Sequence, residues 1–304
     1  MVEQDKQEQQ QQGTMAKLAP LLIVITGICW GCIGLFVRPL SEAGLSSFQM
    51  SWLRSICTVA MMLVLVLVKD PSLLRFKLRD IWCFLGTGLV SVVFFTICYY
   101  TTISLTSLSV AATLMYTAPA FVLFMSYLFF KESITPVKIF AVVLIVVGCA
   151  FVGGLLAGAP QLNLFGFLVG LGSGFGYAMY SIFSRFALER DYHPLTIAIW
   201  TFVFATIGST FLVNPIETTQ LACSSLTTAA YVLGFALVNS VTPYVLYTTA
   251  LQYVENSRAA VIVSIEPVVA SLVGVFAFGE ALTWFNVVGI VLVLVAVALL
   301  SRKE

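Results

Sequence analysis

The chain is expected to be an all-α membrane protein: ten transmembrane helices arranged as two inverted five-helix repeats. Three observations predict this. Hydrophobic residues make up 60% of the 304 residues and charged residues only 10%, against about 25% in a soluble domain; mean hydropathy is +1.02. Apolar runs long enough to cross a bilayer follow one another with very short breaks. A pattern in the first half of the chain returns in the second.

The opening residues, Met1 to Thr14, are rich in glutamine and lack apolar periodicity. Residues 1–15 are therefore predicted to be a disordered tail, with Met15 as a second candidate start. Leu18 to Val37 is too long for a signal-peptide core and has no A-x-A cleavage site, so it is expected to stay as a first helix. Helices are predicted near 18–37, 46–68, 81–102, 107–130, 136–157, 164–187, 194–213, 227–250, 257–279 and 283–301. Few residues remain for a soluble domain, so any chemistry belongs in the membrane.

Orientation follows from lysine and arginine, which favour the cytoplasmic side. The two termini and the even-numbered connections hold 13 of the 15 basic residues. The opposite side has only Arg38, and Arg54 lies inside the second helix. Both termini are therefore predicted to be cytoplasmic, in the cell membrane. The internal repeat has clear markers: Tyr100-Thr101-Thr102 returns as Tyr247-Thr248-Thr249, and Ala111-Ala112 as Ala259-Ala260. Pro119 matches Pro267, and Glu132 matches Glu280. The spacing is 147 and then 148 residues. The expected repeats are 16–158 and 159–304, with five helices each. Five is odd, so the second copy enters the membrane upside down, an arrangement typical of secondary transporters with a midplane site.

Glu266 is the carboxylate at membrane depth. It lies about 14 Å into its helix by rise, close to the middle of a core about 30 Å thick. A charge there costs roughly 2.5–3.5 kcal/mol on insertion scales. Two roles fit: binding a substrate ammonium, or taking up and releasing a coupling proton. A structural carboxylate bonded to Ser264 or a facing tyrosine is the plainer reading. The matching residue of the first half is Ala118.

Pro119, Pro243 and Pro267 break their helices and free the carbonyls of Met115, Asn239 and Val263. They are candidate hinges; helix curvature for packing is the alternative. Tyr99, Tyr116, Tyr177, Tyr180, Tyr244 and Tyr247 are candidate cavity residues together with Trp30, forming an aromatic pocket or a cation–π site. An interfacial belt explains tyrosines near helix ends. Asn239, with Ser240 and Thr242, is a candidate substrate ligand or a helix-to-helix link. Arg54 has three uses open to it: pairing with an acid, guiding an anion, or snorkelling outward. Structural pairing is expected. His193 is expected to be an interface residue, and the glycines from Gly166 to Gly176 to serve close helix packing.

The Trp30-Gly31 pair, the Leu53-Arg54 pair and Pro119 ahead of Glu132 resemble the EamA repeat. So does Ile265-Glu266-Pro267, followed by Gly279-Glu280 and Gly289. On these motifs the chain resembles the EamA branch of the drug/metabolite transporter superfamily, in two copies from about Leu18 to Leu300. The resemblance implies ten helices around a central cavity and transport of small metabolites, often export of amino acids or related compounds. The second copy departs from it at Ile199-Trp200-Thr201, where no arginine stands.

A membrane-embedded enzyme needs paired acids, a histidine dyad or a metal cluster; here one buried carboxylate and one histidine, His193, are available. Cys29-Trp30-Gly31-Cys32 spells C-x-x-C without a second ligand pair. No cofactor or metal is expected, and no nucleic acid at a net charge of +1. The expected function is secondary active transport, in the export direction, by alternating access. A passive facilitator and an importer are the alternatives. The expected partners are a small-molecule substrate and the lipid bilayer, with the proton as candidate coupling ion; homodimerisation stays open.

Overall fold

The computed structural model describes residues 2–106, 108–152, 164–281 and 283–301. All regular structure among them is helical. In chain order the apolar helices are α1 (Thr14–Glu42), α2 (Ser47–Lys69), α3 (Leu78–Leu105), α4 (Val110–Phe130), α5 (Pro136–Val152), α6 (Leu164–Leu188), α7 (Pro194–Thr210), α8 (Leu226–Ala250), α9 (Asn256–Phe278) and α10 (Trp284–Ser301). Eight of these are long and apolar enough to cross a bilayer alone. The exceptions are α5, which is shorter, and α7, which turns by 113° into the short helix Pro215–Ala222.

The helix that becomes α1 begins at Val2. Two expectations need correction. The seventh helix stops at Thr210, because Asn214 caps a new helix with its side chain and Pro215 fits a first helical position. His193 is more than an interface residue: its Nδ1 accepts from Leu195 N at 3.1 Å and caps α7. Burial holds its imidazole below its ordinary pKa, which keeps that nitrogen free to accept. Arg302 and Lys303 lie outside the described residues.

Local chemistry sets the other helix ends. Ser46 and Gln49 form a reciprocal capping box at the start of α2, and Ser225 Oγ accepts from Thr228 N in α8. Lys131 and Gly279 end α4 and α9 in the left-handed region, with φ of 56° and 65°. Glycine adopts that conformation freely; lysine pays for it.

Two helices are broken part-way along their length: α4 at Tyr116–Thr117 and α9 at Ser264–Ile265. Pro119 and Pro267 lie in the first turn after each break. A glycine from another helix presses against each. A Cβ on Gly174 of α6 would lie 2.8 Å from the Leu114 carbonyl oxygen and 2.4 Å from Thr117 Oγ1. A Cβ on Gly27 of α1 would lie 2.8 Å from the Val263 oxygen. Backbones this close exchange Cα–H···O contacts and leave the loosened carbonyls covered by protein. Gly27 and Gly174 are themselves 147 residues apart.

The same device joins α5 to α10, where a Cβ on Gly289 would meet the Gly148 oxygen at 2.5 Å. A buried core that includes Ile23, Ile145, Leu251, Ile262 and Val293 packs against these two helices. In lipid such contacts hold helices together by fit rather than by hydrophobic transfer.

Gly174→Ala is expected to destabilise the purified protein by about 1–3 kcal/mol, the usual cost of overpacking. Gly34→Ala, whose Cβ would meet only Phe278 at 3.7 Å, is expected to be neutral or to gain up to about 1 kcal/mol from helix propensity. Thermal unfolding of both variants in detergent checks this contrast.

Candidate functional site

A central cavity of about 530 Å³ lies between the helices. Its mouth is marked by Arg38 and Glu280, which form an ion pair with half-exposed side chains. Arg38 also lies 3.9 Å from the centre of the Phe278 ring. Asn286 lines the same end and donates to the Val152 carbonyl at 3.0 Å.

Trp30 is the hub of the deep wall. Its ring centre lies 5.7 Å from Tyr177, 5.6 Å from Tyr244 and 5.8 Å from Tyr247. Tyr244 in turn stands edge-on to Tyr180 at 4.7 Å. Aromatic pairs favour such edge contacts, worth about 0.5–1.5 kcal/mol each. Gly31 makes the arrangement fit, since a Cβ there would strike the Glu266 carbonyl oxygen at 2.7 Å. Trp30 is thereby held beside Glu266.

Glu266 opens the second half of α9. The break at Ser264–Ile265 creates a helix N-terminus in mid-membrane, and the Glu266 carboxylate sits in its first turn. Unpaired N–H groups and the helix dipole favour a negative charge there. Tyr177 Oη donates to Glu266 Oε2 at 3.1 Å, and Tyr116 offers a second hydroxyl. The local helix thus supplies part of the stabilisation that lipid withholds.

Below this level the bundle is shut. Tyr180 Oη meets Thr248 Oγ1 at 2.5 Å, and Tyr247 Oη meets Ser181 Oγ at 2.8 Å. Asn256 Nδ2 donates to the Ser181 carbonyl. Deeper still, the buried carboxylate of Glu132, beyond the end of α4, caps α9: it accepts from Asn256 N at 2.8 Å, Ser257 N at 3.1 Å and Ser257 Oγ. Lys138 bonds Glu255, Arg185 bonds the Leu251 carbonyl, and Arg258 the carbonyls of Leu300 and Ser301.

Of the residues singled out from the sequence, Trp30, Tyr99, Tyr116, Tyr177, Tyr180, Tyr244, Tyr247 and Glu266 all line the one cavity. Asn239 does not. It is fully buried between helices and donates to the Cys29 carbonyl at 2.6 Å, which makes it a link between α8 and α1. Pro267 lines the cavity; Pro119 and Pro243 are packed away from it. Pro243 follows a wide π-helical turn, Leu237–Val241, and its carbonyl accepts from Thr26. Arg54 lines the cavity as well, and no carboxylate stands within ion-pair distance of it among the described residues.

Sequence reasoning missed the mouth pair and the hydroxyls of Ser51, Ser91 and Thr96 on the wall. The repeat pairing of Glu280 with Glu132 was the available signal for the former; single hydroxyls in apolar helices gave none for the latter. Among the described residues no group of three or more His, Cys, Asp or Glu side chains is placed to hold a metal ion. Cys29 and Cys32 are free thiols.

The profile of the EamA-like transporter family matches residues 17–154 and again 164–302. The chain belongs to that family. It is a multi-pass membrane transporter, consistent with its apolar helices and with relatives named as transporters. An uncharacterized transporter of Archaeoglobus fulgidus is 28% identical, with 92% of this chain and 95% of the relative covered. The threonine/homoserine exporter RhtA of Salmonella typhimurium is 27% identical over 65% of this chain and 64% of its own. A crystal structure of a protein 17% identical in sequence superposes with a TM-score of 0.76, covering 92% of this chain and 95% of the other, and so shares the fold.

Glu132→Ala leaves two buried N–H groups and a hydroxyl without their acceptor, so a loss of about 1–3 kcal/mol is expected. Glu132→Gln, which keeps one acceptor oxygen, is expected to lose less. Ranking wild type, the Gln variant and the Ala variant by melting temperature tests this order.

Proposed function

We propose that the protein is a secondary active transporter that exports an amino acid or related small metabolite by alternating access. In this reading ten helices form two inverted repeats, residues 16–158 and 159–304, with α5 and α7 counted as spans. The spacing shared by Gly27 and Gly174, each pressed on a broken helix, supports that symmetry. The observation that carries the function is one carboxylate, Glu266, at membrane depth in an aromatic cavity that is sealed at one end. Channels need a path open to both sides; a cavity closed by Glu132, Tyr180 and Tyr247 fits a carrier caught with one gate shut.

The sealed end holds Lys131, Lys138, Arg185 and Arg258, the basic side that the positive-inside preference assigns to the cytoplasm. The cavity then faces outward in the cell membrane, and both termini lie inside. Glu266 has two ways to serve the cycle: as ligand of a substrate ammonium, assisted by the faces of Trp30 and Tyr244, or as a proton carrier. The exporter name of RhtA supports amino acids as the substrate class and export as the direction.

In proteoliposomes, counterflow of a radiolabelled amino-acid mixture is expected for the wild type. Glu266→Gln is expected to lower the rate at least about tenfold, the effect of a lost charge-assisted contact, and to flatten its pH dependence. Unchanged rate and pH dependence would sink the role of Glu266. Flux without saturation or exchange would favour a passive facilitator.

A further inference from the structure

Arg54 stands apart from the other bases that the bundle encloses. Lys138, Arg185 and Arg258 each have an acceptor from the protein. Arg54 has no carboxylate partner among the described residues, and its buried Nε donates to nothing. The guanidinium lies 5.4 Å from the centre of the Phe235 ring, a contact that attracts a cation without neutralising it. An arginine at this depth, partly buried and without a counter-charge, is expensive. It lines the cavity beside Phe235 and Tyr100, and Ser51 shares its helix face one turn earlier.

Depth relates Arg54 to Glu266. Arg54 lies seven residues from Ser47, the mouth end of α2, and Glu266 twelve residues from Phe278, the mouth end of α9. At 1.5 Å per residue the two differ in depth by about 8 Å. Two charge-assisted hydrogen bonds of about 2.8 Å each, with one amino-acid backbone between them, span that offset. Tyr244 lines the same cavity as both side chains.

We propose that Arg54 binds the carboxylate of the substrate, so that an α-amino acid lies along the cavity with its carboxylate toward the mouth and its ammonium at Glu266. This rests on the amine-binding reading of Glu266; the carboxylate end is new. The guanidinium fork matches a carboxylate bidentately, which an ammonium does not. The site then selects zwitterions over simple amines, which lack the anion that Arg54 awaits.

The test uses the full-length protein in detergent. The twenty common amino acids are screened by calorimetry, and the tightest is compared with its carboxamide and its decarboxylated amine. The wild type is expected to prefer the acid over both. Arg54→Gln is expected to lose about 100-fold for the acid, as when one partner of a buried charge pair is removed, and to bind amide and amine as the wild type does. Arg54→Lys is expected to keep the preference at reduced strength. Without ligand, Arg54→Gln is expected to melt no lower than the wild type, since it removes an unpaired charge.

Equal losses for acid and amide, or a lower melting temperature with no change in selectivity, would overturn the proposal. If Arg54→Gln affects the acid alone while Glu266→Gln leaves amine binding intact, the role of Arg54 stands and that of Glu266 falls. If no amino acid binds the wild type, both fall.

Discussion

The site depends on a close approach of backbones. Gly27 lets α1 lie against the break in α9, and Gly174 does the same for α6 against the break in α4. A broken helix in lipid exposes polar groups that water cannot reach. Pressing a glycine backbone onto the break covers them and keeps it in place. The break in α9 in turn makes a helix N-terminus in mid-membrane, and the Glu266 carboxylate occupies its first turn. A continuous α9 would have given the same side chain no dipole to meet. The neighbouring Gly31 then fixes Trp30 beside it, and Trp30 gathers the tyrosines. A chain of contacts thus runs from one missing Cβ to an aromatic wall.

Much of this was legible in sequence. The apolar runs marked eight helices that are long enough to span, because bilayer thickness dictates helix length. The 148-residue spacing tied Pro119 to Pro267 before any contact was known. Glu266 and its tyrosines were found as polar groups that lipid does not tolerate without cause. They converge on one cavity because each lies on the inward face of its helix.

The remainder was not legible, for physical reasons. Asn239 stands in as apolar a setting as Glu266, but its target is a carbonyl of α1, and neighbours in space leave no mark on local composition. The expected partner of Arg54 has no counterpart among the described side chains. The apolar run through Val213 concealed the turn at Asn214, where capping outweighs hydropathy.

The two ends of the cavity are held by unlike chemistry. At the sealed end the Glu132 carboxylate is buried against main-chain donors. At the mouth the ion pair of Arg38 and Glu280 is half exposed, within reach of dissolved ions. Salt weakens exposed charge pairs over a Debye length of about 8 Å at physiological ionic strength and spares buried ones. The mouth is therefore tuned by the medium it faces and the floor is not. Rising ionic strength at the mouth loosens the entrance while leaving the inner seal at full strength.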